Sequence, residues 1–374
     1  MSRRLQTSWS WTLISLLLLA LCFDQASGQD RDRLELFEPR PTNSRDIDYT
    51  VFNEFLETYV LNTGPSLRKR LGPPPKVTGT NTRRGHHSPY RLEGNKIVFS
   101  LMAVPERGLP REYVDTLVKI ANQTDLQAFP RNEQLAFWFN LHNMLVIREL
   151  AENYPVPRPG AIKPKGNRER LHQAKLVTIR GVDLSLEDIR IGIVYRYWTD
   201  PRVMYGFFHG DIASPNIRSE AWSGRNVSRH LSENATEFVN SLRGINDTFG
   251  SVRVSPIYKE ADGTLFDPWE PSLRQHLMRF ADAEVRLVVS GAERLRVGNR
   301  ETAIADLAGG YREVVNSPIQ MAEFGGGLAT KLPPSAVDLR REIYRKNVEL
   351  YQTRGRVVIV DEGSEVSSEG DKVE

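Results

Sequence analysis

The sequence predicts an α+β fold: one large, helix-rich domain carrying a small sheet. Three observations lead there. Apolar residues recur at helical spacing in several separate stretches, and one of these stretches is apolar on nearly every face. Strand-like runs are few and short. Helices in runs with a few strands among them are the pattern of α+β architectures rather than of alternating βαβ units. Apolar content of 40% and charged content of 26% are those of a globular chain with a packed core.

The elements follow in order. Met1-Ser2-Arg3-Arg4 is basic, residues 11–23 are an apolar run, and the small residues Ala26 and Gly28 end the segment. Basic start, short apolar core and small-x-small site are the order of a secretory signal peptide over residues 1–28. The run is short for a membrane span, and no later stretch is long and apolar enough to be one. The expectation is therefore an exported protein, periplasmic or secreted, with no transmembrane span in the mature chain. Cys22 is the only cysteine and lies in this leader. The mature chain then has no disulfide, no thiolate metal site and no cysteine nucleophile. A net charge of +3 with both signs interspersed leaves no nucleic-acid footprint.

Residues 29–45 are a polar lead-in. Phe52, Phe55, Leu56 and Tyr59 share one face of a helix predicted over 48–60. Residues 62–92, with Pro73, Pro74 and Pro75, are a loop, and a helix is predicted near 111–122. The stretch 131–150 is apolar all round and is predicted as a core helix. Asn140 and Asn143 lie one turn apart on it. If buried, their amides brace neighbouring loops or orient a site residue. A strand at 176–179 and a turn at Arg180-Gly181 come next, then a capping-box pattern at Ser185–Asp188 opening a helix to about Tyr197. Thr199-Asp200-Pro201 ends it. A buried strand is predicted at 203–208, a helix at 226–242, a strand at 252–255, and a helix to about Ala281 opened by Asp267-Pro268 as N-cap and N1. From 283 to 334 no element is legible, with Gly325-Gly326-Gly327 a hinge or loop. Residues 335–353 look helical, 357–360 like a closing strand, and 361–374 like a disordered acidic tail.

Chemistry is expected where the strand at 203–208 runs into the loop His209-Gly210-Asp211-Ile212-Ala213-Ser214-Pro215, because loops on a rigid scaffold often carry function. Three readings stand side by side: a hydrolytic pair with Ser214 as nucleophile and His209 as base, a metal site on His209 and Asp211, and a turn without chemistry. His86 and His87 are expected to be solvated, His142 to sit in the core, and His172, His230 and His276 to lie at helix surfaces. No zinc-protease, nucleophile-elbow or phosphate-loop motif occurs, and no metal or cofactor is expected. The sequons at Asn122, Asn226, Asn234 and Asn246 are uninformative about role.

Asn132-Glu133-Gln134-Leu135-Ala136-Phe137-Trp138-Phe139-Asn140-Leu141-His142-Asn143 resembles the Ala-Phe-Trp-x-Asn-x-Tyr-Asn signature of the domain of unknown function 547 family. Val177 to Ile179, Leu184 to Ile189, Asp200-Pro201-Arg202 and Val254 to Tyr258 are similar to the later blocks in the same order. The resemblance covers about 46–282 and sets this span apart from an extension at 283–360. It implies an α+β domain related to papain-like cysteine hydrolases. The chain departs from the pattern at the reactive positions. Ile189-Arg190-Ile191 stands where the family has Ile-Glu-His. His209-Gly210 and Ala213-Ser214-Pro215 stand where it has Cys-Gly and Ser-Cys-Pro. A cysteine mechanism needs a thiolate and a positioned base. The preferred expectation is thus a non-catalytic binding module for a small ligand or another envelope protein, with Asn140, Asn143 and Asp211 as binding or structural residues. The alternative is a hydrolase using Ser214 with His209 as base.

Overall fold

The computed structural model describes residues 33–73, 85–102, 108–248, 251–298, 300–311 and 334–354. The expected leader, the triple glycine at 325–327, the strand expected at 357–360 and the acidic tail lie outside the described residues. The first amphipathic stretch forms α1 (Thr50–Tyr59), with Phe52, Phe55, Leu56 and Tyr59 buried. Asp48 opens it by accepting from the amide and hydroxyl of Thr50 at 2.9 and 2.6 Å. α2 (Leu109–Gln123) buries Val114, Leu117 and Ala121 and packs along α3 (Arg131–Asn153). In α3 every residue from Glu133 to Ala151 is buried, as expected of a helix with no polar face. The Trp138 ring meets Phe37 edge-on with centroids 5.2 Å apart.

Among the described residues the strands form three small sheets. β1 (Val60–Leu61) pairs antiparallel with β2 (Lys96–Ile97). β3 (Lys175–Ile179) and β4 (Val182–Ser185) form a hairpin whose two turn residues, Arg180 and Gly181, both have positive φ, at 51° and 79°. That is the backbone a two-residue hairpin needs to match strand twist. α4 (Val227–Val239) follows. β5 (Ile245–Thr248) then pairs antiparallel with β6 (Ser251–Val254), and β7 (Arg296–Val297) adds to β6 in parallel. Between these last two lie α5 (Pro256–Glu260), α6 (Trp269–Phe280) and α7 (Ala283–Gly291). α8 (Pro334–Arg354) closes the described chain. Its Ala336, Leu339 and Ile343 pack with Val98, Leu307 and Ala308 in a satellite of the main core. The molecule is a helix-rich α+β fold.

Several local expectations are corrected. The capping box at Ser185 and Asp188 forms: the Asp188 amide donates to Ser185 Oγ at 3.1 Å, and the Ser185 amide donates back to the Asp188 carboxylate at 2.7 Å. The helix it opens is widened into a π-helix over Asp188–Tyr195. The strand expected at 203–208 is a 3-10 helix, Pro201–Gly206, followed by an extended Phe207. Asp200 starts it by accepting from the Arg202 amide, and a short apolar run does not distinguish buried helix from buried strand. At Gly206 an added Cβ would lie 2.3 Å from the Phe139 ring, so glycine is what lets this turn rest on α3. The N-cap of α6 is Pro268, not Asp267. His86 is buried rather than solvated, and its Nε2 donates to the Asp306 carbonyl. His230 and His276 are buried as well.

The stretch that was illegible in the sequence holds part of the scaffold. Residues 303–307 run between β2 and the 209–212 loop. The Ile97 amide donates to the Ala305 carbonyl at 2.9 Å and the Leu307 amide to the Ile97 carbonyl at 3.2 Å. On the other side, the Ala305 amide donates to the Gly210 carbonyl and the Ile212 amide to the Ala303 carbonyl, at 2.9 and 2.8 Å. Asp306, fully buried, accepts from the amides of Phe99, Ala308 and Gly310 and from the Tyr154 hydroxyl.

Candidate functional site

Two asparagines of α3 fix the backbone around the site. Asn140 is buried, donates from Nδ2 to the Trp222 carbonyl at 2.8 Å, and accepts the Trp222 amide at 3.0 Å. Asn143 does the same one turn later: Nδ2 donates to the Gly206 carbonyl at 3.0 Å, and Oδ1 accepts the Phe208 amide at 2.9 Å. Both amides are thus spent on main chain, which satisfies groups that would otherwise be buried and unpaired. Asn143 sets the direction in which the chain leaves the 3-10 helix toward His209.

The loop that follows is closed on itself. Gly210 has φ +92°, a conformation that L side chains rarely adopt, and the chain reverses there. Ser214 Oγ accepts the His209 amide at 3.0 Å and donates to Asp211 Oδ1 at 2.9 Å. Arg300 holds the same carboxylate from Nε at 2.7 Å and Nη2 at 3.3 Å. Arg243 Nη1 donates to the Ser214 carbonyl at 2.6 Å. His209, Asp211 and Ser214 are all buried. They are brought together, but the bonds run through the His209 backbone and not through its ring.

That ring faces inward, into a cluster absent from the sequence reading. Its centroid lies 5.3 Å from His172 and 6.1 Å from His142. Arg190, from the π-helix, enters the same space. Its Nη1 contacts His142 Nε2 at 3.0 Å and His172 Nδ1 at 3.4 Å, while Nε and Nη2 pair with Glu260. The guanidinium can only donate, so His142 Nε2 accepts and its Nδ1–H is left to donate to Asn143 Oδ1, 3.1 Å away. Both ring nitrogens of His209 have no hydrogen-bond partner although the side chain is fully buried. Burial, then the positive charge of Arg190, pushes all three imidazoles well below the usual histidine range; Arg300 adds to this for His172 and His209. Each is therefore neutral near pH 7 and a poor proton acceptor.

Arg190, His172, Glu260 and Arg300 are the site residues that sequence reasoning missed. Arg190 had a signal, since it is a lone cation between Ile189 and Ile191 in an apolar helix. Arg300 had none, because its stretch shows no periodicity. Among the described residues no group of three or more His, Cys, Asp or Glu side chains is placed to hold a metal ion.

Fold and site together define a helix-rich α+β domain whose buried loop is held by helix amides and arginine–carboxylate pairs. Residues 126–239 match a family model described as "Protein of unknown function, DUF547". The matched segment contains Asn140, Asn143, Arg190, His209 and Ser214, and it supports that family for this part of the chain. No curated protein and no solved structure matches the chain.

Proposed function

We propose that this protein is an exported, non-catalytic binding module. It uses the surface beside the 209–215 loop to hold a small ligand or another envelope protein. One observation carries the reading. The Ser214 hydroxyl accepts from the His209 amide and donates to Asp211, and the His209 ring bonds to neither. An activated serine needs its hydroxyl within hydrogen-bond reach of a base that is in turn oriented by a third group. Here the hydroxyl proton goes to a carboxylate already neutralised by Arg300. The candidate base is an imidazole whose proton affinity is lowered by burial and by two arginines. On this reading a cysteine-hydrolase relative has exchanged its reactive groups for Arg190, His209 and Ser214, and keeps the asparagine bracing.

A fluorophosphonate probe tests it. The expected result is no labelling of the wild-type protein above that of Ser214→Ala. Stoichiometric labelling of wild type that is lost in Ser214→Ala would overturn the reading. Export is tested separately, by the N-terminus of the protein recovered from outside the cytoplasm, expected at Gln29.

A further inference from the structure

A cleft of about 420 Å3 opens on the outer side of the 209–215 loop, between residues 89–90, the β5–β6 hairpin and Gly298, Arg300 and Glu301. Arg70, Arg243, Arg253 and Arg300 line it, together with Tyr90 and Asn246, and a single carboxylate, Glu301, does so. Glu301 brings one negative charge to this lining, and its oxygens accept from the Ser88 hydroxyl and the Ala303 amide. Arg243 and Arg300 are paired behind the wall, with Glu237 and Asp211. Arg70 and Arg253 pair with no carboxylate among the described residues. The Arg70 guanidinium lies over the Tyr90 ring, 5.5 Å from its centroid. Tyr90 accepts from Asn246 Nδ2 at 2.8 Å, which leaves its own hydroxyl proton to donate. Arg243, buried, keeps an Nε with no partner.

With Arg243 and Arg300 already paired, the unpaired Arg70 and Arg253 leave this concave space with an excess of positive charge that an anion would offset. Guanidinium forks bind phosphate and carboxylate in bidentate geometry, and a charged cleft with low-dielectric walls concentrates oppositely charged ligands. The volume is that of a small-molecule site. We propose that this cleft binds a small organic polyanion carrying two or more phosphate or carboxylate groups. The proposal rests on the binding-module reading and names the ligand class for it. Asp211, Arg300 and Ser214 are then the wall that holds the arginines in place.

Titration calorimetry of the whole protein with pyrophosphate and with citrate tests this and separates the two oxyanion types. Saturable binding of at least one probe is expected, weakening as salt is raised. Arg253→Ala and Arg70→Ala should each weaken it about ten-fold or more. Arg294→Ala, in a separate groove beside α7, should leave it unchanged. Absence of saturable binding of either probe at millimolar concentration would overturn the proposal, as would binding that survives both cleft substitutions. Those failures leave the non-catalytic reading intact, because that one falls only to labelling of Ser214.

Discussion

Asn140→Leu removes a side chain whose Nδ2 and Oδ1 both bond to the Trp222 main chain. The two shapes are similar, so the packing cost is small. What remains is the Trp222 amide and carbonyl, now facing an apolar side chain at a position where Asn140 is only 4% exposed. A buried backbone group left without a partner costs about 1–3 kcal/mol, so two of them cost about 4 kcal/mol. That is a large part of a total stability of about 5–15 kcal/mol. With a urea dependence of about 3 kcal/mol per molar for a chain of this size, the midpoint should fall by about 1 M. Urea unfolding followed by tryptophan fluorescence reads this directly, since Trp222 itself is at the affected place. Asn153→Leu is the control. Its Nδ2 donates only to the Glu149 carbonyl of its own helix from an exposed position, and its midpoint should move little. Equal midpoints for wild type and Asn140→Leu would refute the bracing argument.

Other predictions concern the loop, pH and backbone. Ser214→Ala leaves the buried His209 amide without an acceptor and takes one donor from Asp211, which keeps Arg300, so it should cost about 1–3 kcal/mol in thermal unfolding; a substitution without effect would mean that the loop is not held this way. Burial holds His86 down at about 3 and His276 at about 4, against about 6.5 in the unfolded chain. Between those values the unfolded chain binds more protons, so stability falls as pH drops below about 6.5. Burial raises Asp306 to about 6, and its earlier protonation in the folded state works the other way. At pH 5 relative to pH 7, two losses of about 2 kcal/mol against a gain of about 1 kcal/mol leave a net loss of about 2–3 kcal/mol, and the lowered His142, His172 and His209 add to it in the same direction. A urea midpoint that rises on acidification from pH 7 to 5 would contradict this. Gly310 and Gly263 have similar positive φ, 76° and 72°, but a Cβ at Gly310 would lie 2.2 Å from the Val156 carbonyl oxygen, whereas Gly263 has open space. Gly263→Ala should cost about 1 kcal/mol, and Gly310→Ala about 3 kcal/mol because a clash with main chain adds to it; equal melting temperatures for the two variants would rule the clash out.

Much of the secondary structure was legible in the sequence, because it depends on local periodicity. α1, α2, α3, α4 and α8 all carry their apolar residues at helical spacing, and the β3–β4 hairpin announces itself at Arg180-Gly181. Errors fell where local signals are ambiguous. The apolar run at 203–208 suits a strand or a buried turn of helix equally, and only its rest on Phe139 through Gly206 decides for the turn. The π-helix was not legible either, since its onset has an ordinary capping box.

The 209–215 loop was legible as a place, from its clustered polar residues after an apolar run. What its residues do was not. Sequence proximity suggested that His209 and Ser214 could act on each other, and their bond runs through the His209 amide instead. The residues that set the electrostatics come from far along the chain: Arg190, Glu260, His172 and Arg300. By itself the sequence determined most of the long helices, their order and the position of the single cysteine at residue 22, all properties of nearest neighbours or of composition. Only the tertiary structure decided which nitrogen faces which oxygen across the core. A hydrogen bond depends on a few tenths of an ångström between atoms that may be separated by a hundred residues, and no local pattern carries that distance.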